Sequence, residues 1–292
     1  DGAVGGNAAL GAIGITGALD LDAAITSASS LSVSTTSNLG ANVTTSGTQT
    51  YTGAVTLSAN VDLTGTTVTT NGTVAGGTNN LTVTGNAVFG DATADTVTGV
   101  AVLDITGNTT IHTDTITTSS TQTYGDATSD TITIGTNTTL TTTDSQITFS
   151  GTVDSETSET NNLTLDAGTS EVQFDAETGG TVGLGAIGIT GALDLDAAIT
   201  SASSLSVSTT SNLGADVTTS GTQTYTGAVT LSADNTLTTT SDGSVSFGST
   251  TNGAQTLSIT TDGTGDVTFT DDVGGSTGLN GLTISTNDFN AV

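Results

Sequence analysis

Residues 10–59 read LGAIGITGALDLDAAITSASSLSVSTTSNLGANVTTSGTQTYTGAVTLSA, and they recur at 184–233 with a single difference, Asn42 in the first copy and Asp216 in the second. Within this stretch Val, Leu and Ile alternate with Thr and Ser, and glycines interrupt the alternation. A period of two is typical of strands with one buried face. Near-identical repetition is typical of architectures in which one supersecondary unit stacks on the next. The stretch therefore predicts an all-β repeat protein.

The composition excludes several classes of partner. The 292 residues include no Lys, Arg, Pro, Cys, Met or Trp, and 28 Asp and Glu give a formal net charge of −28. Without cationic side chains the chain cannot clamp phosphates or hold an anionic bilayer, so we expect no nucleic-acid partner and no direct membrane insertion. Stability cannot come from disulfides, and no stretch approaches the roughly 20 apolar residues of a membrane helix.

High net charge with low hydrophobicity would ordinarily predict disorder. The alternation in segments such as LTVTGNAVF at 81–89 argues against it, since Val, Leu and Phe there are spaced as on one face of a strand. Thr is β-branched and favours strands, and it is abundant throughout the chain. We therefore expect a folded chain made almost entirely of strands.

Sequence markers divide the chain into long repeats. The tripeptide Ile-Thr-Gly begins at Ile15, Ile105 and Ile189, and a degenerate copy begins at Ile284. A fuller pattern, Gly-Gly-x-x-x-Leu-x-x-[Ile/Leu]-x-Ile, begins at Gly5, Gly179 and Gly274. These markers predict one continuous repeat segment, 1–292, of a longer protein. Its approximate units are 1–104, 105–188, 189–283 and the start of a further unit at 284–292.

Two architectures fit repeats of this length: tandem immunoglobulin-like sandwiches, or a parallel β-solenoid in which each repeat holds several coils. Phe-terminated strand segments recur after coil-sized steps of 22 residues (Phe247 to Phe269) and 25 residues (Phe149 to Phe174). The distance from the Ile-Thr-Gly marker to Tyr is 36 residues in the first and third repeats but 19 in the second. Loss of one coil shortens a solenoid, whereas the same loss would open a sandwich. We therefore predict a parallel β-solenoid with about 20 residues per coil.

Aromatic residues are rare and occupy equivalent places. All three tyrosines lie in the marker Thr-Thr-Ser-x-Thr-Gln-Thr-Tyr, and five of the six phenylalanines close a strand segment. We expect these five phenylalanines to fill the core rather than to stack on a ligand. They are Phe89, Phe149, Phe174, Phe247 and Phe269.

Paired carboxylates are the candidates for metal binding. In Asp20-Leu21-Asp22 and its copy Asp194-Leu195-Asp196, alternation places both carboxylates on one face of a strand. Oxygen ligands suit Ca²⁺ or other divalent cations, but no complete calcium loop accompanies the pair, and a solvated outer face is the simpler interpretation. Asp262-Gly-Thr-Gly-Asp266 lacks the leading Gly-Gly of the calcium-binding nonapeptide, and Asp271-Asp272 adds only charge. Which residues would bind a metal stays open.

Catalysis is not expected. His112 is the only histidine and lies in an alternating stretch, so it should point outward from a strand; with no Cys, a zinc site is not expected. No Gly-x-Ser-x-Gly motif lies in residues 105–188, the repeat that contains His112. Paired carboxylates can hydrolyse glycosides, and some parallel β-helices act on polysaccharides, but this chain has no cations and few aromatics to hold sugar. We predict no enzymatic activity, no catalytic residues and no cofactor.

Three segments carry a resemblance to known proteins. They are TTSGTQTYTGAVTLSA (44–59 and 218–233), VTFTDDVGGSTGLNGLTIST (267–286) and SVSFGSTTNGAQTLSI (244–259). They resemble the tandem strand repeats of very large bacterial secreted and surface proteins of the filamentous-haemagglutinin-like or autotransporter-adhesin-like kind. The resemblance implies a right-handed parallel β-helix or related solenoid outside the cell. Unlike those relatives, this chain has no Lys or Arg.

The sequence thus predicts a structural or adhesive extracellular β-solenoid that forms a stalk, matrix fibre or surface filament. We expect self-association with other copies, end to end, and contact with a host or neighbouring cell surface or matrix. Because stacked like charges destabilise one another, salt or divalent cations should stabilise the fold. The alternatives are a tandem β-sandwich adhesin stiffened by calcium and a polysaccharide-acting β-helix enzyme.

Overall fold

The computed structural model describes residues 2–286 and 288–291, the last four by their backbone. Throughout this part of the chain the regular elements are β-strands, and no helix occurs. The chain divides into two compact units, Asp1–Thr143 and Asp144–Val292, called unit 1 and unit 2 below. The repeat boundaries proposed from the sequence markers stay a prediction.

The strands of unit 1 follow one another at short intervals. They are β1 (Leu10–Ile15), β2 (Leu19–Leu21), β3 (Ile25–Val33), β4 (Ser37–Leu39), β5 (Val43–Thr45), β6 (Gln49–Tyr51), β7 (Val55–Leu57), β8 (Val61–Thr70), β9 (Val74–Ala75), β10 (Leu81–Phe89), β11 (Thr96–Val100), β12 (Leu103–Ile105), β13 (Thr109–Ile111), β14 (Thr115–Thr118), β15 (Gln122–Tyr124), β16 (Thr131–Ile134) and β17 (Thr138–Thr141).

The strands of unit 2 also follow one another at short intervals. They are β18 (Ile147–Phe149), β19 (Thr152–Ser155), β20 (Leu163–Phe174), β21 (Leu184–Leu195), β22 (Ile199–Val207), β23 (Ser211–Leu213), β24 (Val217–Thr219), β25 (Gln223–Tyr225), β26 (Val229–Leu231), β27 (Asn235–Thr239), β28 (Val245–Phe247), β29 (Thr251–Asn252), β30 (Thr256–Thr261), β31 (Asp266–Phe269), β32 (Gly281–Ser285) and β33 (Asp288–Ala291).

Unit 1 is a parallel β-solenoid. Each strand pairs in parallel with the strand one winding, or coil, further along the chain. Residues in register on successive coils form columns, and successive members of a column lie 18–24 residues apart. One column runs through Ile15, Val33, Tyr51, Thr70, Phe89, Ile111 and Ile134.

Unit 2 is built in the same way, with every strand pairing in it parallel. A column there runs through Leu165, Ile189, Val207, Tyr225, Phe247 and Phe269. The predicted β-solenoid is therefore confirmed. The sandwich alternative is wrong, since neighbouring strands come from successive windings and run parallel.

The register explains the length difference seen in the sequence. Ile15 pairs with Val33 and Val33 with Tyr51, so two coils separate Ile15 from Tyr51. Ile105 pairs directly with Tyr124, so a single coil separates those two. The second repeat is thus shorter by one coil, as the spacing predicted.

Alternation decides which side chains enter the core. In β25 Gln223 and Tyr225 are buried while Thr224 between them points outward. The same in–out alternation recurs along the short strands, so Val, Leu, Ile, Tyr and Phe fill the interior and Thr, Ser, Asn and Asp cover the surface. Because a column repeats every coil, apolar residues contact apolar residues above and below.

The Gly-Gly marker forms a corner. Its first glycine has a positive φ in all three copies, 77° at Gly5, 74° at Gly179 and 73° at Gly274. At Gly179 a Cβ atom would lie 2.0 Å from the carbonyl oxygen of Ser201 on the next coil. Both the left-handed conformation and the close approach of two coils therefore require glycine at this position.

Candidate functional site

The Thr-Gln-Thr-Tyr marker builds a buried hydrogen-bond cluster. In unit 1 the Gln49 Nε2 donates to the carbonyl oxygens of Val43, at 3.1 Å, and of Thr64 on the next coil, at 2.9 Å. The Tyr51 hydroxyl donates to Gln49 Oε1 at 2.9 Å. Neither side chain is accessible to solvent. The glutamine therefore links two coils by hydrogen bonds within the core. The tyrosine hydroxyl donates to the glutamine Oε1, which is the remaining acceptor of that side chain.

The cluster recurs at the other two markers. The Gln122 Nε2 donates to Thr141 O, and the Gln223 Nε2 donates to Thr238 O, both at 2.9 Å. The Tyr124 and Tyr225 hydroxyls donate to the glutamine Oε1 at 2.8 and 3.2 Å. Burial raises the pKa of all three tyrosines well above the ordinary value of 10.0. These phenols are held neutral, which suits a structural role rather than proton transfer.

The phenylalanines occupy the core, as predicted. All five that close strand segments are at most 4% exposed. In unit 2, Phe149 stacks on Phe174 with ring centroids 5.1 Å apart, and Phe247 stacks on Phe269 at 4.6 Å. Such offset stacking strengthens the packing between coils beyond burial alone.

The Asp-Leu-Asp pairs lie on the outer surface. Asp20 and Asp194 project outward from β2 and β21, next to the buried Leu21 and Leu195. The second carboxylate of each pair, Asp22 or Asp196, follows the last residue of the strand. The predicted outward direction is confirmed, but the pair spans a strand end rather than one strand face.

A shallow depression surrounds Asp194 in unit 2. It is open to solvent, has a volume of about 220 Å³, and is lined by residues that include Glu171, Asp194, Asn212 and Thr230. The Asn212 Nδ2 donates to Asp194 Oδ1 at 2.8 Å. Sites for small molecules usually enclose about 300–1,000 Å³ and are mostly apolar. The depression is smaller and polar, so its geometry is that of a surface groove.

Next to this groove the carboxylates interact. The pKa of Asp175 is raised, first by partial burial and then by the charges of Asp196 and Asp194, while a hydrogen bond from Gln173 opposes the shift. The Gln173 Nε2 to Asp175 Oδ1 distance is 2.7 Å. Among the described residues no group of three or more His, Asp or Glu side chains is arranged to hold a metal ion.

None of the remaining sequence candidates lines the groove. His112 is half-buried and lies between the buried Ile111 and Thr113, so it points outward as predicted. Residues 262–265 form a corner between β30 and β31, Asp266 begins β31, and the Thr264 N–H donates to Asp242 Oδ1 on the previous coil at 2.7 Å. Asp271 and Asp272 follow β31 and are exposed. The structure does not bring these candidates together into one site.

Sequence reasoning missed a repeated corner contact. Asn and Asp side chains at coil corners accept a hydrogen bond from a backbone N–H of the next coil. The donor–acceptor distances are 2.9 Å for Asp62 N to Asn42 Oδ1 and 2.7 Å for Thr236 N to Asp216 Oδ1. We call such contacts Asx bridges. The sequence signal for these contacts was an Asn or Asp one residue before a strand in several coils. The backbone N–H that donates to this side chain could not be identified without knowing which residues of successive coils are in register.

Comparison of the two copies of the 50-residue stretch shows how an uncovered edge differs from a covered one. Leu10 begins β1 and is 44% exposed, whereas its counterpart Leu184 begins β21 and is 1% exposed. Both residues begin the same 50-residue stretch, but β20 pairs with β21 on one side, and in the described part of unit 1 β1 pairs with β3 alone. The edge of β1 therefore displays apolar side chains that a further coil would bury.

Comparison with models of protein families, with curated proteins and with solved structures gave no match. In the described part of the chain, none of the secondary structure is a helix of sufficient length and apolarity to span a membrane.

Proposed function

We propose that the chain is a structural, non-enzymatic segment of an extracellular stalk, matrix fibre or surface filament. The observation that carries this proposal is the column geometry. In each unit, successive coils stack side chain on side chain around an interior of Val, Leu, Ile, Tyr and Phe. A stack of hydrogen-bonded coils resists stretching and shearing, which is what a stalk or fibre requires.

The placement of polar groups also supports a structural role. The buried polar side chains in the described residues are Ser, Thr, Asn and Gln, and no carboxylate or histidine is among them. The depression around Asp194 is a shallow, polar groove. An enzyme of the polysaccharide-acting kind would hold its substrate in a deeper cleft.

An extracellular location is supported by chemistry and by the resemblance of three segments to large bacterial surface repeats. A chain with net charge −28 and no Lys or Arg stays soluble and presents no site for trypsin-like proteases. Its surface would favour contact with cationic groups on a host, a neighbouring cell or a matrix. Calcium or other divalent cations would then act as a diffuse counter-ion layer.

Immunogold microscopy of intact source cells tests the proposal. Antibodies raised against the chain should label the cell surface or extracellular fibres without permeabilisation. Antibodies against a cytosolic enzyme serve as the control and should label only opened cells. Labelling confined to opened cells would overturn the extracellular assignment.

A further inference from the structure

The chain contains three Asn-Gly pairs, and the structure holds them differently. They are Asn71-Gly72 in unit 1, and Asn252-Gly253 and Asn280-Gly281 in unit 2. Asparagine is a thermolabile residue, because the backbone nitrogen of the next residue can attack its side-chain amide carbon. Glycine hinders this attack least, since it has no Cβ atom and is conformationally permissive. In a folded chain the attack therefore depends on how firmly the amide and the glycine N–H are held.

The pair in unit 1 is held only at one point. Asn71 and Gly72 lie between β8 and β9, and the Asn71 backbone N–H donates to Tyr51 O at 2.9 Å. Among the described residues, the Asn71 side-chain amide has no hydrogen-bond partner and the Gly72 N–H has no acceptor. Both residues are half-buried, so water reaches them. The attacking nitrogen and the amide that it would attack are thus both unrestrained.

The Asn252-Gly253 pair is held at both reacting groups. The Asn252 Oδ1 accepts the N–H groups of Ser276 and Thr277 on the next coil, at 3.0 and 3.3 Å. The Gly253 N–H donates to Thr277 O at 3.2 Å. Asn252 also ends β29, where it is in register with Thr230. Attack at this pair would first require the two coils to separate locally.

The Asn280-Gly281 pair is held against the previous coil. The Asn280 Nδ2 donates to Ala254 O, and the Asn280 backbone N–H donates to Gln255 O at 2.9 Å. Gly281 begins β32 and is in register with Thr256 on β30. Here too the side-chain amide cannot turn toward the glycine nitrogen without breaking contacts between coils.

From these contacts we propose that Asn71 is a site of spontaneous deamidation in the folded chain and that Asn252 and Asn280 are protected. The Gly72 nitrogen forms a bond to Asn71 Cγ, and its proton leaves with the side-chain nitrogen as ammonia. The product is a five-membered succinimide ring. Water then adds across either ring C–N bond, which gives aspartate or isoaspartate at position 71. Water is the only other reactant, so the reaction needs no enzyme.

The isoaspartate form would disturb the corner between β8 and β9. Its main chain is longer by one atom, because it runs through the former side-chain carbon. The corner has little room, since a Cβ atom on Gly72 would lie 2.9 Å from Gly53 C on the previous coil. Beyond the corner Val74 is 1% exposed and is in register with Val55. The modification would therefore strain the start of β9 and add a carboxylate to a chain of net charge −28.

Peptide mapping of aged, folded protein tests the proposal. The wild-type chain is incubated in mildly alkaline buffer below its unfolding transition and then digested with endoproteinase Asp-N, which cleaves before aspartate. This digestion places the three pairs on separate peptides, 62–90, 242–261 and 272–287. Mass spectrometry should find exchange of amide for acid at position 71 at least about tenfold more often than at 252 or 280, because the latter two must open locally before they react.

The products also report the route. A succinimide predicts two forms: an isoaspartyl peptide 62–90 that stays uncut at position 71, and an aspartyl form that is cut between residues 70 and 71. Asn71→Gln should stay unmodified, since a glutamine ring closes less readily, and should keep the circular dichroism of the wild type. In urea, where the coils are unfolded, the three pairs of the wild type should react at similar rates.

Three results would overturn the proposal. The first is no modification at position 71 in the folded chain, or equal modification of all three pairs. The second is a tenfold excess at position 71 that persists in urea, since local sequence rather than folding would then decide the rate. The third is a product made of aspartate alone, which would show hydrolysis without attack by the Gly72 nitrogen. The proposed structural function does not depend on any of these results.

Discussion

The single difference between the two 50-residue copies leads to a quantitative prediction. In unit 1, Asn42 faces Asp62 on the next coil, and its Nδ2 donates to Asp62 Oδ2 at 2.9 Å. In unit 2, Asp216 faces Thr236, whose N–H donates to its Oδ1 at 2.7 Å. An aspartate at position 42 would therefore meet another carboxylate, whereas an aspartate at 216 does not. We predict that Asn42→Asp destabilises unit 1 and that Asp216→Asn leaves unit 2 nearly unchanged.

The expected loss follows from two effects. Asn42→Asp removes a hydrogen-bond donor, at a net cost of about 0.5–1.5 kcal/mol. It also sets two charges at about 4 Å in water, where they repel by about 1 kcal/mol. We expect a decrease of about 1.5–2.5 kcal/mol in the free energy of unfolding at low salt, with the Coulomb part disappearing near 1 M salt, where the Debye length is about 3 Å. Asp216→Asn keeps an oxygen acceptor for Thr236, so its effect should stay within about 0.5 kcal/mol.

Urea unfolding followed by circular dichroism, at low and high NaCl, measures these differences. The double variant Asn42→Asp, Asp62→Thr recreates the Asp–Thr pair of unit 2 and should recover most of the lost stability. Equal effects of Asn42→Asp and Asp216→Asn, or no recovery in the double variant, would show that the register-based explanation is wrong.

Three further predictions concern the core and the charge. Gln223→Ala should lower the free energy of unfolding by about 3 kcal/mol in urea titrations, because it leaves Thr238 O and the Tyr225 hydroxyl unsatisfied and opens a cavity. As a control, Thr224→Ala at the neighbouring outward position should change the free energy of unfolding by less than about 0.5 kcal/mol. Because burial raises the pKa of all three tyrosines, the stability that their neutral form contributes is complete below pH 10.0 and declines above it. Tyrosinate absorbance should therefore appear together with the loss of β-sheet dichroism, and ionisation of the tyrosines in a folded chain would contradict this. The melting temperature should rise with NaCl, MgCl₂ or CaCl₂, because the ionisable side chains apart from His112 and the tyrosines are all acidic. A melting temperature insensitive to all three salts would refute that expectation.

Much of the fold could be predicted because alternation and spacing are local signals. Phe247 and Phe269 could be placed in one column since they lie one coil apart and close equivalent segments. The missing coil between Ile105 and Tyr124 was visible as a shorter spacing. Both inferences need only the period of the chain, which the sequence contains directly.

The polar contacts could not be predicted in the same way. The sequence identified Gln49 and Tyr51 as parts of a marker, but the carbonyl of Thr64 that Gln49 reaches lies on another coil. Coils differ in length, so the partner of an outward residue such as Asn42 depends on the register between windings. The difference between Leu10 and Leu184 is likewise invisible in identical sequences, because it arises from the neighbouring strand alone.

Distance measurement between spin labels in unit 2 tests the coil register most directly. The chain has no cysteine, so cysteines introduced at the outward positions Thr224, Ser246 and Thr268 can be labelled without background. Thr224 pairs with Ser246, and Ser246 with Thr268. Parallel stacking predicts strong dipolar broadening for the 224/246 and 246/268 pairs, whose backbones lie about 4.8 Å apart, and clearly weaker broadening for 224/268 at about twice that distance. Equal broadening in all three pairs, or none in any, would contradict a stack of coils in register.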